Sequence, residues 1–280
     1  MAKNVLVKPI LKWVGGKRQL LSEILPLVPT KISTYVEPFL GGGALFFELQ
    51  PKKAIVNDYN WELINVYKVI RDYPKELICE LENHSLNNCS DYFYSIRSLD
   101  RSSNYSNLSC VEKAARIIYL NKTCYNGLYR VNSAGQFNSP YGKYKNPQIV
   151  NSTTIHAMSN YLNKKQIQIK QGDYKDVLKG LRKGAFVYLD PPYMPISSSS
   201  SFTGYTEGGF NYEKQVELKK ECDKLRDKGI FFLQSNSDCP EIRELYSDYT
   251  IKTVKAKRAI NSKSDSRGEI NEVLIYYESK

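Results

Sequence analysis

Hydrophobic and polar positions along the chain alternate between two periods. After "LKWVGGKRQLL", Leu20, Leu21, Ile24 and Leu25 recur at helical spacing until Pro26 and Pro29 end the pattern. "TYVEPFLGGGALFFEL" reads as a short β-prone run, a glycine cluster and an apolar helix opening at Ala44. "AIVNDYNWELINVYKVI" repeats the scheme. It predicts a strand from Ala54 to Val56, Asp58 at its carboxyl end, and a helix whose apolar face includes Leu63, Ile64 and Val69.

The βαβ rhythm breaks from about Tyr73 to Lys165. There "EKAARIIYLNKT" is the clearest helix, and a loop-rich stretch follows with Gly127, Gly135 and Gly142. Alternation resumes with the strands "IQIK" and "AFVYLD", a helix around Gln215 to Lys228, and the strands "IFFLQSN" and "VLIYY". The pattern predicts one α/β domain with a doubly wound, Rossmann-like sheet over 1–71 and 166–280, interrupted by an inserted helical module at 72–165.

The 280 residues are 41% apolar, enough to bury a core, and 40 Lys and Arg against 29 Asp and Glu give a net charge of +11. Such a balance favours a polyanionic partner, although a lysine-rich solvated face has the same composition. The six cysteines form no C-x-x-C pair and there are two histidines, so no metal site is expected. No run approaches a membrane span, and a cytoplasmic protein with free thiols is the expectation.

Three features carry candidate chemistry. Gly41, Gly42 and Gly43 lie where the first strand meets its helix, so that backbone can approach a ligand and helix N–H groups can face an anion. They are not a G-x-G-x-x-G match. Asp58, Asp173 in "QGDY" and Asp190 in "YLDPPYMP" each stand at a predicted strand end, where open α/β sheets bind ligands. An acid at Asp58 suits ribose hydroxyls. Pro191 and Pro192 remove two backbone N–H donors, leaving the carbonyls of Asp190 and Pro191 rigid and without ladder partners. A carboxylate, a carbonyl and the ring of Tyr193 together suit adenine, a flat ring with an exocyclic NH2. An isolated D-P-P-Y would equally well stop a strand.

"LKWVGGK", "VEPFLGGGALF", "NDYN", "QGDY" and "DPPY", in this order, resemble the Dam-type DNA adenine-N6 methyltransferases, most closely the DpnII-type (GATC) branch. "YNGLYRVNSAGQFNSPYGKYKNP" and "RAINSKSDSRGEINE" extend the resemblance over nearly the whole chain. It implies S-adenosylmethionine as cofactor, S-adenosylhomocysteine as product, and no metal. The matching cofactor positions are Trp13, Lys17, Pro38, Phe39, Gly41, Gly43, Asp58, Asp173, Tyr174 and Asp190, with Lys17 serving the cofactor's carboxylate. Asp190, Pro191, Pro192 and Tyr193 would be catalytic, taking an adenine flipped out of double-stranded DNA.

The resemblance also implies a DNA-contacting hairpin around 125–147. There Tyr125 would intercalate, Asn126 and Leu128 would contact the site, Arg130 and Lys12 would each read a guanine, and Pro140 would meet a thymine methyl. Lys252, Lys255, Lys257, Arg258, Lys263 and Arg267 read as phosphate contacts or as a solvated face. The serine-rich stretch from Ser197 stands where a loop would order over substrate. A cognate restriction endonuclease acting separately is the implied biological partner. Two rival functions are an amino-methyltransferase for RNA or a protein glutamine, and a non-catalytic DNA-binding module. Asp190 in place of asparagine argues against glutamine, and the intact motifs argue against loss of catalysis.

Overall fold

The computed structural model describes residues 3–195, 210–257 and 269–277. Its strands are β1 (Thr34–Glu37), β2 (Ala54–Asp58), β3 (Ile167–Gln171), β4 (Ala185–Leu189), β5 (Phe231–Ser237), β6 (Thr250–Lys257) and β7 (Glu269–Tyr276). Its α-helices are α1 (Leu21–Ile24), α2 (Ala44–Leu49), α3 (Trp61–Asp72), α4 (Pro74–Leu86), α5 (Ser90–Ser98), α6 (Cys110–Thr123), α7 (Ser152–Leu162), α8 (Tyr174–Leu178), α9 (Tyr212–Asp227) and α10 (Pro240–Leu245). Among the described residues no helix is long and apolar enough to cross a membrane.

The chain divides into two compact units. One comprises 17–40, 51–59 and 170–280, and carries the sheet in the order β3-β2-β1-β4-β5-β7-β6. Strand β1 pairs in parallel with β2 and with β4, and β4 in parallel with β5, whereas β7 runs antiparallel to both β5 and β6. The sequence order therefore reverses between β1 and β4. That point is where open α/β sheets place ligands, beyond the strands' carboxyl ends.

Strand β4, AFVYL, is buried at every position, as expected of a parallel strand covered on both faces. Its Val187 and Leu189 join Val36, Phe232, Val273 and Ile275 in a core closed by Leu218, Cys222 and Leu225 of α9 and Ile242 of α10. At the antiparallel edge, β6 was not among the expected strands. Its sequence TIKTVKAK alternates buried Val254 and Ala256 with exposed Lys255, and charge along an edge strand discourages pairing with other chains.

The other unit comprises 1–16, 41–50 and 60–169. It is larger than the expected insertion at 72–165, because α3 lies against α6 and α7 through Leu63, Ile64, Val66, Tyr67, Val69 and Ile70, and so belongs with the helices that follow it. The Asn60 side chain accepts from Leu63 N at 3.0 Å to cap α3, and Ser109 and Glu112 form a reciprocal capping box on α6. Within α6, Arg116 is 1% exposed. Its guanidinium lies 2.8 Å from Asp100 and 3.7 Å from Glu62, and donates to the Ile96 and Arg97 carbonyls.

Candidate active site and the other candidate residues

At the carboxyl end of β4, Asp190 begins the turn whose prolines interrupt the backbone donors. Its side chain retains 19% exposure, and the ammonium of the buried Lys17 lies 2.8 Å from Oδ1 as an ion pair. Burial pushes the Asp190 carboxyl up to about 6, opposed by the charge of Lys17 and reinforced by Glu272 and Asp58. The same ammonium sits 4.6 Å from the centre of the Tyr193 ring. Tyr193 donates its hydroxyl to Glu272 Oε2 at 2.6 Å, and burial together with the neighbouring carboxylates holds that phenol well above its usual range. Lys17, expected to meet a cofactor carboxylate, thus makes its ion pair here with Asp190.

Beside this turn, Pro38 follows β1, and its carbonyl accepts from Asn57 Nδ2 at 3.0 Å. The Phe39 ring packs on Tyr174 at 5.0 Å and on Phe210 at 6.0 Å. The buried Tyr174 hydroxyl has no hydrogen-bond partner among the described residues. Asp58 closes β2, and its carbonyl accepts from Gly172 N. Asp173 differs from its neighbours. Its carboxylate accepts from Lys175 N at 2.8 Å and caps α8, a structural task that its exposed position also suits.

The remaining candidates lie in the helical unit. Gly41 and Gly43 have φ of 49° and 67°, values that favour glycine, and Gly43 opens α2. A Cβ at Gly41 would stand 3.2 Å from the Trp13 ring, so the indole closes directly on the glycine turn. The indole also stacks on Tyr129 at 4.5 Å. Tyr129 donates to Glu62 Oε2 at 2.7 Å.

From Tyr125 to Tyr141 the chain forms a hairpin, with Cys124 bridged to Tyr141 and Val131 to Phe137. Its turn is closed by Gly135 N donating to Asn132 O, with Gly135 at φ 73°. Tyr125 is 59% exposed, and its N–H donates to the Pro140 carbonyl. Arg130 is exposed, and its Nε donates to Asn138 Oδ1 at 2.9 Å across the hairpin. Lys12 is brought to the same place. Its Nζ donates to Asn126 O at 2.6 Å, while the buried Asn121 bonds both Lys12 backbone groups and Gly127 O. Leu128 is half-buried, its carbonyl accepting from Ser139 Oγ.

Of the basic run, Lys252 pairs with Glu23 at 2.9 Å and Lys255 is exposed. Arg258, Lys263, Arg267, the Lys257 side chain and the serine-rich stretch from Ser197 lie outside the described residues.

Several residues that organise these clusters carry no motif. Asn121 and Arg116 are polar positions inside the apolar run of α6. Gln215 falls on the stripe of Leu218, Cys222 and Leu225 along α9. Glu272 lies within a stretch expected from resemblance, but without an assigned role. A polar residue at a position whose period calls for an apolar one was the available signal.

The family model described as D12 class N6 adenine-specific DNA methyltransferase matches residues 13–260. A Type II methyltransferase of Lactococcus lactis subsp. cremoris is 49% identical over 276 residues, covering 98% of this chain and 97% of the relative. A second Type II methyltransferase, from Methanocaldococcus jannaschii, is 43% identical, covering 96% and 98%. The DNA adenine methylase of Escherichia coli is 32% identical, covering 99% and 96%.

Proposed function

Because the chain belongs to the D12 class N6 adenine-specific DNA methyltransferase family, we propose that it methylates N6 of adenine within GATC in double-stranded DNA, with S-adenosylmethionine as donor. The observation that carries this reading is the Asp190 carboxylate, poised at the switch point of the sheet with a pKa of about 6 and followed by two prolines and a tethered tyrosine.

The residues around Asp190 fit a cationic nucleoside. Asp58 and Asp190 feel one another's charge, which a positive ligand would relieve. Phe39 offers a ring face, Asp58 an acceptor for ribose hydroxyls, and Pro38, Asp173 and Tyr174 border them just beyond the ends of β1 and β3, with Lys17 paired to Asp190 beside them. When bound, S-adenosylmethionine supplies an electrophilic methyl group on a sulfonium centre and leaves as S-adenosylhomocysteine.

Adenine N6 is a weak nucleophile because its lone pair is delocalised into the ring. Asp190 and the Pro191 carbonyl, accepting its two N–H hydrogens, localise that pair and stabilise the positive charge that develops on N6. Pro191 and Pro192 keep both acceptors rigid. Tyr193 stacks on the flipped base, and the bond to Glu272 fixes the orientation of its ring. Lys17 counters the effect of burial on Asp190, so that the carboxylate is ionised at neutral pH.

In the hairpin, Tyr125 intercalates, Arg130 and Lys12 read guanines, Pro140 meets a thymine methyl, and Asn126 and Leu128 line the contact. A cognate endonuclease would act on the same sequence as a separate protein. Transfer of labelled methyl to adenine, combined with methyl-sensitive digestion of a plasmid carrying the gene, tests the whole reading. Protection of GATC sites is expected; unmodified adenine would overturn it, and modification of another sequence would overturn the GATC assignment.

A further inference from the structure

We infer that Gln215 and Asn236, buried side-chain amides of α9 and β5, are positioning residues for the methyl-acceptor pocket, acting as one relay that fixes the backbone on both sides of Tyr193. The inference rests on the reading of Asp190 to Tyr193 as that pocket.

Two consecutive prolines create the need. Residues 191 and 192 have no N–H with which to anchor themselves, so the turn must be held through its carbonyls and through the next free N–H groups. Gln215 is 0% exposed and donates Nε2 to the Pro192 carbonyl at 3.0 Å. Its Oε1 accepts from Asn236 Nδ2 at 3.0 Å. Asn236, also 0% exposed, accepts at Oδ1 from Met194 N at 3.2 Å and from Ser237 N at 2.9 Å. Ser237 Oγ then donates to the Met194 carbonyl at 2.7 Å. Pro192 and Met194, the residues flanking Tyr193, are thereby held by side chains of two other elements.

The direction of the relay is determined. The Pro192 carbonyl can only accept and the Met194 N–H can only donate, so each amide has one permitted orientation. The relay takes the carbonyl immediately after Pro191, whose own carbonyl is assigned to N6. On α9 the same stripe position would be filled by leucine or methionine if packing were its only task, since a buried amide is costly unless its bonds are made. A shift of the turn by roughly 1 Å would misplace both N6 acceptors, an error that costs about 10²-fold in rate.

Gln215→Met preserves length and removes the amide, and Asn236→Ala breaks the second link. The parent, both variants and the double variant are compared in labelled methyl transfer at saturating DNA and cofactor, and in hydrogen exchange of the Met194 amide in the free protein. Gln215→Met is expected to lower kcat by about 10²-fold, with each KM changed by less than about 3-fold. Met194 exchange should accelerate by about 10-fold or more while Phe232 and Leu233 of β5 keep their protection. The double variant should be no slower than the worse single one, because a relay is lost once.

Unchanged Met194 exchange, unchanged kcat accompanied only by a lower Tm, or single losses that multiply would each overturn the relay. If the parent itself transfers no methyl to adenine, the proposed function fails, and Met194 exchange alone decides the relay.

Discussion

The Lys17 ammonium stands 2.8 Å from Asp190 Oδ1 and 4.6 Å from the centre of the Tyr193 ring, so one buried cation touches both the acid and the aromatic of the proline turn. Burial raises the Asp190 pKa to about 6 against the opposing charge of Lys17. Its folded value exceeds the ordinary 3.8. The stability linked to this group is therefore full below about pH 3.8 and is lost as pH rises through 6. Under the proposed function activity has the opposite sign, because the ionised form would accept the N6 hydrogens. In kcat/KM the acid limb should have its midpoint near pH 6. Lys17→Met removes the counter-charge and should move that limb upward by about 1 to 3 pH units. An unmoved limb, measured at saturating cofactor, would remove Lys17 from the control of Asp190.

The motifs announced themselves because each depends on residues with few structural substitutes. Asp-Pro-Pro-Tyr at the end of a fully apolar strand, and glycines between Leu40 and Ala44, constrain the backbone in ways that are visible in sequence. The hairpin from Tyr125 to Tyr141 was legible for the same reason, through Gly127 and Gly135, both at positive φ. Strand β6 was hidden by its lysines, which read as a basic surface while Val254 and Ala256 supplied the period of two. The relay and the buried ion network were hidden differently. Gln215, Asn236, Arg116 and Glu272 act through partners distant in sequence, and a single chain carries no pairing information for them. Asp173, at the end of β3, also caps α8 through the Lys175 N–H, a task that a strand-end acid does not announce in sequence.

His84 provides a second, opposite pH response. Its ring stacks on Tyr119 at 4.8 Å and its Nδ1 meets Tyr92 Oη at 2.8 Å, and burial lowers its pKa to about 4. The folded value lies below the ordinary 6.5, so its stabilising contribution is present above about pH 6.5 and is lost as pH falls toward 4. The loss should be on the order of 2 to 3 kcal/mol. Denaturant unfolding of the parent and His84→Gln across this range checks it. Parallel stability curves for the two proteins would contradict the assignment.

Arg116 holds the hairpin's supports together. It faces Asp100, which accepts from Phe137 N at 2.7 Å, and Glu62, which accepts from Tyr129. Arg116→Met would remove a guanidinium that is 1% exposed from two partly exposed carboxylates, of which Asp100 keeps Arg101 at 2.6 Å, at a cost of about 1 to 3 kcal/mol. Urea unfolding is the measurement. A change within about 0.5 kcal/mol would show that the cluster behaves as a surface pair.

The +11 charge predicts that log affinity for DNA falls linearly with log salt, by about 0.9 for each neutralised phosphate. Lys255→Ala should reduce the slope without altering sequence preference, because an exposed edge-strand lysine supplies charge and no base contact. Equal slopes for the parent and Lys255→Ala would exclude a phosphate contact there.

Variants of Arg130 test whether its proposed role is to read a base or to bind the backbone. Its Nε is engaged by Asn138 Oδ1, which orients the guanidinium plane from the opposite arm of the hairpin. Guanine offers O6 and N7 as adjacent acceptors, which a planar fork engages bidentately and a lysine ammonium does not. Arg130→Ala should therefore lose about 1 to 3 kcal/mol of discrimination at one base pair, the final C·G of GATC. Arg130→Lys should fail similarly despite retaining the charge. Asn138→Ala, which frees the guanidinium from its orienting bond, should give a smaller loss at the same base pair. A phosphate-binding arginine would instead weaken all sequences alike and lower the salt slope. The decisive comparison is kcat/KM on duplexes carrying GATC and each substitution of its last pair, for the parent and the three variants. If the parent's preference at that pair survives Arg130→Ala, another side chain reads it.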